Sequence, residues 1–227
     1  MSLQLYPLYP ILYQGLKPLF PQCLWRGNPH QKAIALTFDD GPHPQYTLEL
    51  LTVLETYAVK ANFFCLGQQV KQYPEVAKAI YDRGHWIGLH GYTHQNFPEL
   101  TPEQLCQGLY HTQTAILEAC GLNPETERSR FRDVRPPNGL FIPQTLDLLQ
   151  QWNYRPVMWT VVPEDWVDPG VSIVVNRVMK TVCPGSVIVL HDGRYGGQSV
   201  AETTERIIPM LLKQEYQFVS IEQLWHS

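Results

Sequence analysis

Seven short apolar runs recur along this chain, at about 33–38, 61–66, 85–89, 131–135, 155–162, 186–190 and 218–221. Between most of them lies a stretch whose apolar residues repeat with helical period, at about 47–57, 74–83, 101–120, 143–152, 173–181 and 203–214. Short runs bounded by Gly and Pro read as strands, and the longer periodic stretches read as amphipathic helices. Strands alternating with helices predict a parallel sheet covered by helices, an α/β architecture. The 227 residues suffice for one sizeable core. At this length a sheet closed into a barrel is more economical than an open doubly wound sheet.

Several function classes are excluded early. Seventeen Lys and Arg against 21 Asp and Glu give a net charge of −4, with no basic run, so nucleic acid is not the expected partner. No GxGxxG or Walker A sequence supports a dinucleotide or P-loop site. Cys23, Cys65, Cys106, Cys120 and Cys183 are scattered and form no CxxC pair. They are expected as buried thiols of a reducing compartment, not a zinc finger or a disulfide framework. No obligatory protein partner is readable.

The first 21 residues are apolar and aromatic, but Pro7, Pro10, Pro18 and Pro21 interrupt them. They carry neither a basic leader nor a small-residue cleavage site. The segment 1–30 is therefore expected to be an irregular arm packed on a domain spanning 31–227, with contact to a membrane surface as the alternative. Without an export signal, the cytoplasm is the default compartment. No uninterrupted apolar stretch reaches the ~18 residues of a spanning helix.

Polar residues gather where predicted strands end. Asp39 and Asp40, His90 and His94, Arg135, Asp165 and Trp166, and His191 and Asp192 all occupy such positions. In α/β barrels the carboxyl ends of the strands converge on one face. Each group alone has an ordinary explanation. Asp40-Gly41 makes a common turn, and Arg135 suits an exposed loop before Pro136-Pro137. Together they suggest chemistry. Adjacent strand residues point to opposite faces, so both carboxylates serve one site only where the strand breaks, and Gly41-Pro42 supplies a break. Two imidazoles four residues apart on a helical turn share a face, and with a carboxylate they form a plausible catalytic metal set. Zinc is the first choice for such a set, with cobalt, nickel or iron as alternatives.

The ordered motifs Thr37-Phe38-Asp39-Asp40-Gly41-Pro42, His90-x-x-x-His94, Arg135-Pro136-Pro137-x-Gly139, Asp165-Trp166 and Leu190-His191-Asp192 resemble those of the polysaccharide deacetylase family. These are the NodB-homology domains of carbohydrate esterase family four. The resemblance runs from about Ile34 to the C-terminus. It implies a single-domain, TIM-like distorted (β/α)7 barrel that removes acetyl groups from carbohydrate with one divalent metal ion. Carried over by position, Asp39 is the base, His191 the acid, and Arg135 orients Asp39. Asp40, His90 and His94 hold the metal. Substrate contacts fall to Asn138, Asp165, Trp166, Val189 and Leu190.

Four positions depart from the family pattern. Gly91 replaces a Ser or Thr that supports the histidine loop, and Asn138 replaces an aromatic. Val162 stands where an Asp is expected to tether the catalytic His, with Asp165 or Glu164 as stand-ins. Val189 fills a position that is often Leu. These departures keep two further readings open: a same-fold hydrolase of a non-sugar amide or cyclic imide, and a non-catalytic carbohydrate-binding protein.

Overall fold

All strand pairings in the sheet are parallel. The strands are β1 Ala33–Asp39, β2 Asn62–Cys65, β3 Trp86–Leu89, β4 Asp133–Val134, β5 Arg155–Pro156, β6 Val187–His191 and β7 Gln217–Phe218. They lie in the order β5-β4-β3-β2-β1-β6, and β7 pairs with the start of β1. This is a computed structural model, and it describes residues 5–227. Residues 1–4 of the expected arm lie outside the described residues.

The helices are α1 Tyr9–Leu16, α2 Tyr46–Thr56, α3 Gly67–Gln72, α4 Pro74–Asp82, α5 Pro102–Cys120, α6 Pro124–Glu127, α7 Pro143–Gln151, α8 Val171–Thr181, α9 Val200–Lys213 and α10 Ile221–Trp225. Among the described residues none is long and apolar enough to cross a membrane.

The two edges of the sheet meet. Beyond β5 the chain bends, and Thr160 N–H donates to Val187 O at 3.0 Å while Val189 N–H donates to Val161 O at 3.0 Å. A bridge between Val161 and Ile188 completes the distorted (β/α)7 barrel. This bend corrects the expected strand over 155–162, of which only Arg155–Pro156 is regular. Met158 N–H instead donates to Leu24 O, so this segment is shared between two neighbours.

Side-chain parity sorts the barrel into an inside and an outside. Ile34, Leu36 and Phe38 of β1 pack in one buried cluster with Leu50, Leu51 and Leu54 of α2. Ala35 packs in a second cluster with Phe64, Val157 and Val187, inside the barrel. Thr37 and Asp39 share the parity of Ala35, so β1 directs its polar residues inward near its carboxyl end.

Two expectations for secondary structure change. The arm is not wholly irregular, because α1 forms within it. Pro10 sits in its first turn, where a helix has no use for the missing N–H. The expected strand over 218–221 ends at Phe218. Ser220 instead caps α10, with Gln223 completing a capping box. All five cysteines are free, with Cys23, Cys65 and Cys120 buried.

Candidate active site and metal centre

Parallel register brings the two halves of the site together. Asp39 and His191 are register partners on β1 and β6. Parallel neighbours stand about 4.8 Å apart, so the two residues leave the sheet side by side. Leu89 and Val134 are register partners on β3 and β4, which sets the following residues, His90 and Arg135, beside one another.

The strand break falls at Asp40, which adopts φ 75° in the left-handed region. That reversal lets Asp39 and Asp40 serve one cleft. Gly41 follows because nothing larger fits: a Cβ there would lie 2.4 Å from an oxygen of Asp192. Asp192 is fully buried, accepts a hydrogen bond from Thr47 Oγ1 at 2.5 Å, and donates its N–H to Asp39 O at 3.1 Å. Burial pushes its carboxyl up to about 7. Asp192 is thus a buried prop under the Asp39-Asp40 turn.

The histidine loop does not form the expected helical turn. Gly91, at φ 87°, turns the chain, and a Cβ there would meet Thr93 O at 3.0 Å. Gly67 N–H donates to Gly91 O, and Gln68 N–H donates to Tyr92 O. The first turn of α3 thus holds this loop through its free backbone donors.

The loop still brings the two rings together, with centroids 5.3 Å apart. His90 Nε2 and His94 Nε2 lie 3.4 and 3.3 Å from Asp40 Oδ1. The three ligand atoms lie within 4.8 Å of one another. His90 is buried and donates Nδ1–H to Arg135 O at 2.7 Å, which fixes its tautomer and leaves Nε2 as a lone-pair donor. Burial holds the His90 imidazole below its ordinary value despite the charges of Asp39 and Asp40, so it stays neutral. Asp40 Oδ1 is buried and accepts no hydrogen bond. An orphaned carboxylate oxygen facing two imidazole lone pairs fits a divalent cation.

Asp39 is clamped from behind. Arg135, itself buried, donates from Nη1 to Asp39 Oδ1 at 2.6 Å and to Thr37 Oγ1 at 2.7 Å. Its Nη2 donates to Met158 O at 3.1 Å, and the guanidinium stacks 4.0 Å above the Phe64 ring. Arg135→Met is expected to cost about 3–5 kcal/mol, because it strands the buried Asp39 charge without its cation. Chemical denaturation checks this; an unchanged midpoint would show that the pair carries no stability.

Asp165 takes the stand-in place expected beside His191 and is not among the walls of the cleft. Its Oδ2 accepts His191 N–H at 2.7 Å, and its Oδ1 accepts His191 Nδ1–H at 2.8 Å. The tether expected at Val162 is therefore Asp165, and Val162 lines the cleft. The left-handed Glu164, at φ 57°, redirects the chain before Asp165. Trp166 stands edge-on to His191, with centroids 5.1 Å apart.

One cleft of about 420 Å³ is lined by Asp39, Asp40, His90, His94, Arg135, Asn138, Trp166, Val189 and His191, among others. Leu190 is not among its walls. It faces the core with opposite parity to Val189 and His191. Asn138 reaches the cleft, while its Nδ2 donates to Asn96 Oδ1 at 2.8 Å. Tyr9 of α1 also lines the cleft, a contribution that sequence reasoning missed.

The family model for polysaccharide deacetylase matches residues 26–157. The chain is similar to a peptidoglycan-N-acetylglucosamine deacetylase of Bacillus cereus, at 32% identity over 202 residues, covering 88% of this chain and 91% of the relative. It is also similar to a chitooligosaccharide deacetylase of Azorhizobium caulinodans, at 34% identity over 164 residues, covering 72% and 75%. The solved structure of a peptidoglycan N-acetylglucosamine deacetylase in complex with 4-naphthalen-1-yl-N-oxidanyl-benzamide superposes with a TM-score of 0.83 at 28% identity, covering 89% of this chain and 92% of that one.

Proposed function

Because the chain belongs to the polysaccharide deacetylase family, we propose that it hydrolyses the N-acetyl group of an acetamido sugar in a peptidoglycan-type or chitooligosaccharide-type glycan. The observation that carries this reading is the convergence of Asp39, His191 and the Asp40, His90 and His94 cluster in one cleft. Asp40, His90 and His94 would hold one divalent metal, with zinc as first choice. Such an ion, when bound, supplies carbonyl polarisation and brings the pKa of water towards ~7.

The remaining work falls to the chain's own residues. Arg135 occupies Asp39 Oδ1 and fixes the carboxylate, so Oδ2 is the oxygen left to take a proton from water attacking the acetyl carbon. His191 presents Nε2, because Nδ1–H is committed to Asp165, and it protonates the departing amine. Trp166 and Val189 supply apolar wall for the acetyl methyl.

Burial lowers the His191 imidazole, but the charge and hydrogen bond of Asp165 outweigh it and push the pKa up to about 9. An acid acts from its protonated form, so activity is expected to fall as pH rises through that region. In Asp165→Asn the largest raising influence goes, while the burial and the smaller pull of Asp40 and Asp39 stay. The alkaline limb of kcat against pH should therefore move to lower pH. A limb that does not move would remove His191 as the acid.

The test of the whole reading is acetate release from N-acetylglucosamine oligomers by metal-stripped protein, before and after zinc or cobalt is restored. Metal-dependent acetate supports it. No acetate from folded, metal-loaded protein would overturn it in favour of another C–N bond or a binding role.

A further inference from the structure

The N-terminal arm reaches the cleft, although it lies before the region 26–157 that the family model matches. Tyr9 packs edge-on against Trp159 with centroids 5.4 Å apart, and both rings line the cleft. Trp159 in turn packs edge-on against the buried Trp25 at 5.8 Å, and Tyr13 of α1 packs on Trp25 at 6.3 Å. The arm is also latched at its start. Leu5 N–H donates to Glu164 Oε1 at 2.8 Å, and Tyr6 Oη donates to Arg177 O at 3.2 Å. Arg177 lies 4.9 Å above the Tyr6 ring and donates to Glu164 Oε2 at 3.2 Å. Glu164 precedes Asp165, the partner of His191, so the latch sits against the catalytic wall.

Tyr9 is thus held by packing against Trp159, and the chain just before it is tied down at Leu5 and Tyr6 by the buried Arg177–Glu164 pair. A half-buried aromatic face, fixed in advance and opening on a polar cleft, suits the apolar face of a pyranose ring.

Resting on the deacetylase reading above, we infer that Tyr9 is a specificity-determining contact: the docked arm packs it against a sugar ring of the glycan, making the arm part of the substrate site. Tyr9 touches the substrate away from the reacting atoms. Its contribution should grow once the ligand has a second sugar to offer.

The test measures binding apart from turnover. N-acetylglucosamine oligomers of one to five sugars are titrated by tryptophan fluorescence into zinc-loaded Asp39→Asn protein, which binds without reacting. Tyr9→Ala, Tyr9→Leu and Tyr9→Phe are then added to that background. Leu keeps bulk against Trp159 and removes only the aromatic face. Leu12→Ala, on the exposed side of α1, controls for damage to the arm. The expected result is an oligomer Kd about 3- to 10-fold weaker for Ala and Leu, the scale of one aromatic contact, with Phe and the Leu12 control unchanged. Affinities within twofold of the parent for Ala and Leu would overturn the inference, as would a background protein that binds no oligomer. Acetate release by the unsubstituted enzyme is followed in parallel. Its failure beside an intact Tyr9 effect would sink the deacetylase reading and leave Tyr9 as a sugar contact.

Discussion

Asp39→Asn should lower kcat by roughly 10²–10⁴-fold, the loss typical of a missing acid–base group, while its metal content stays that of the parent. The two readouts separate because Asp39 is not one of the three converging ligands. Asn still offers a carbonyl oxygen to Arg135 Nη1 at the position Asp39 Oδ1 occupies, so the clamp geometry survives. What disappears is the carboxylate proposed to take the proton. Single-turnover acetate release and elemental analysis on one sample decide it. Full activity would refute the base, and lost metal would place Asp39 among the ligands.

His94→Ala should do the reverse and lose the metal first. His94 is 36% exposed on its loop, so its removal leaves no buried gap and the fold should tolerate it. It takes away one of the three side chains that could hold the ion among the described residues. Losing merely a ligand's hydrogen-bond partner costs about 10–100-fold in metal affinity, so losing the ligand itself should exceed ~100-fold. Dialysed protein should hold far less than one zinc, and acetate release should vanish with it. Stoichiometric zinc in this variant would rule out His94 as a ligand.

Much of this site is legible in sequence because barrel topology does the collecting. Asp39, His90, Arg135 and His191 end or follow strands, and parallel register then makes them neighbours. The misreadings have physical reasons. Leu190 was placed in the cleft by its motif, yet strand parity opposes it to Val189 and His191. The choice between Asp165 and Glu164 as the stand-in tether stays open in sequence, because the left-handed turn at Glu164 that turns Asp165 to His191 lies outside any strand period. The run over 155–162 looked like one strand because composition cannot show a segment divided between Leu24 and Val187. Proline masked α1, since Pro10 breaks a helix interior but suits a first turn. Tyr9 carried no local signal at all: its role depends on Trp159, far along the chain.

Arg135 serves the site with two different parts of itself. Its guanidinium holds Asp39, and its carbonyl holds His90. Substitution removes the first and cannot remove the second, since every amino acid brings the same carbonyl. One substitution here therefore separates the two contacts. A descendant with another side chain at this position would lose the clamp on Asp39 and keep the carbonyl under His90, so the proposed base and the proposed metal cluster can drift apart at a single position, provided the fold absorbs the stranded Asp39 charge.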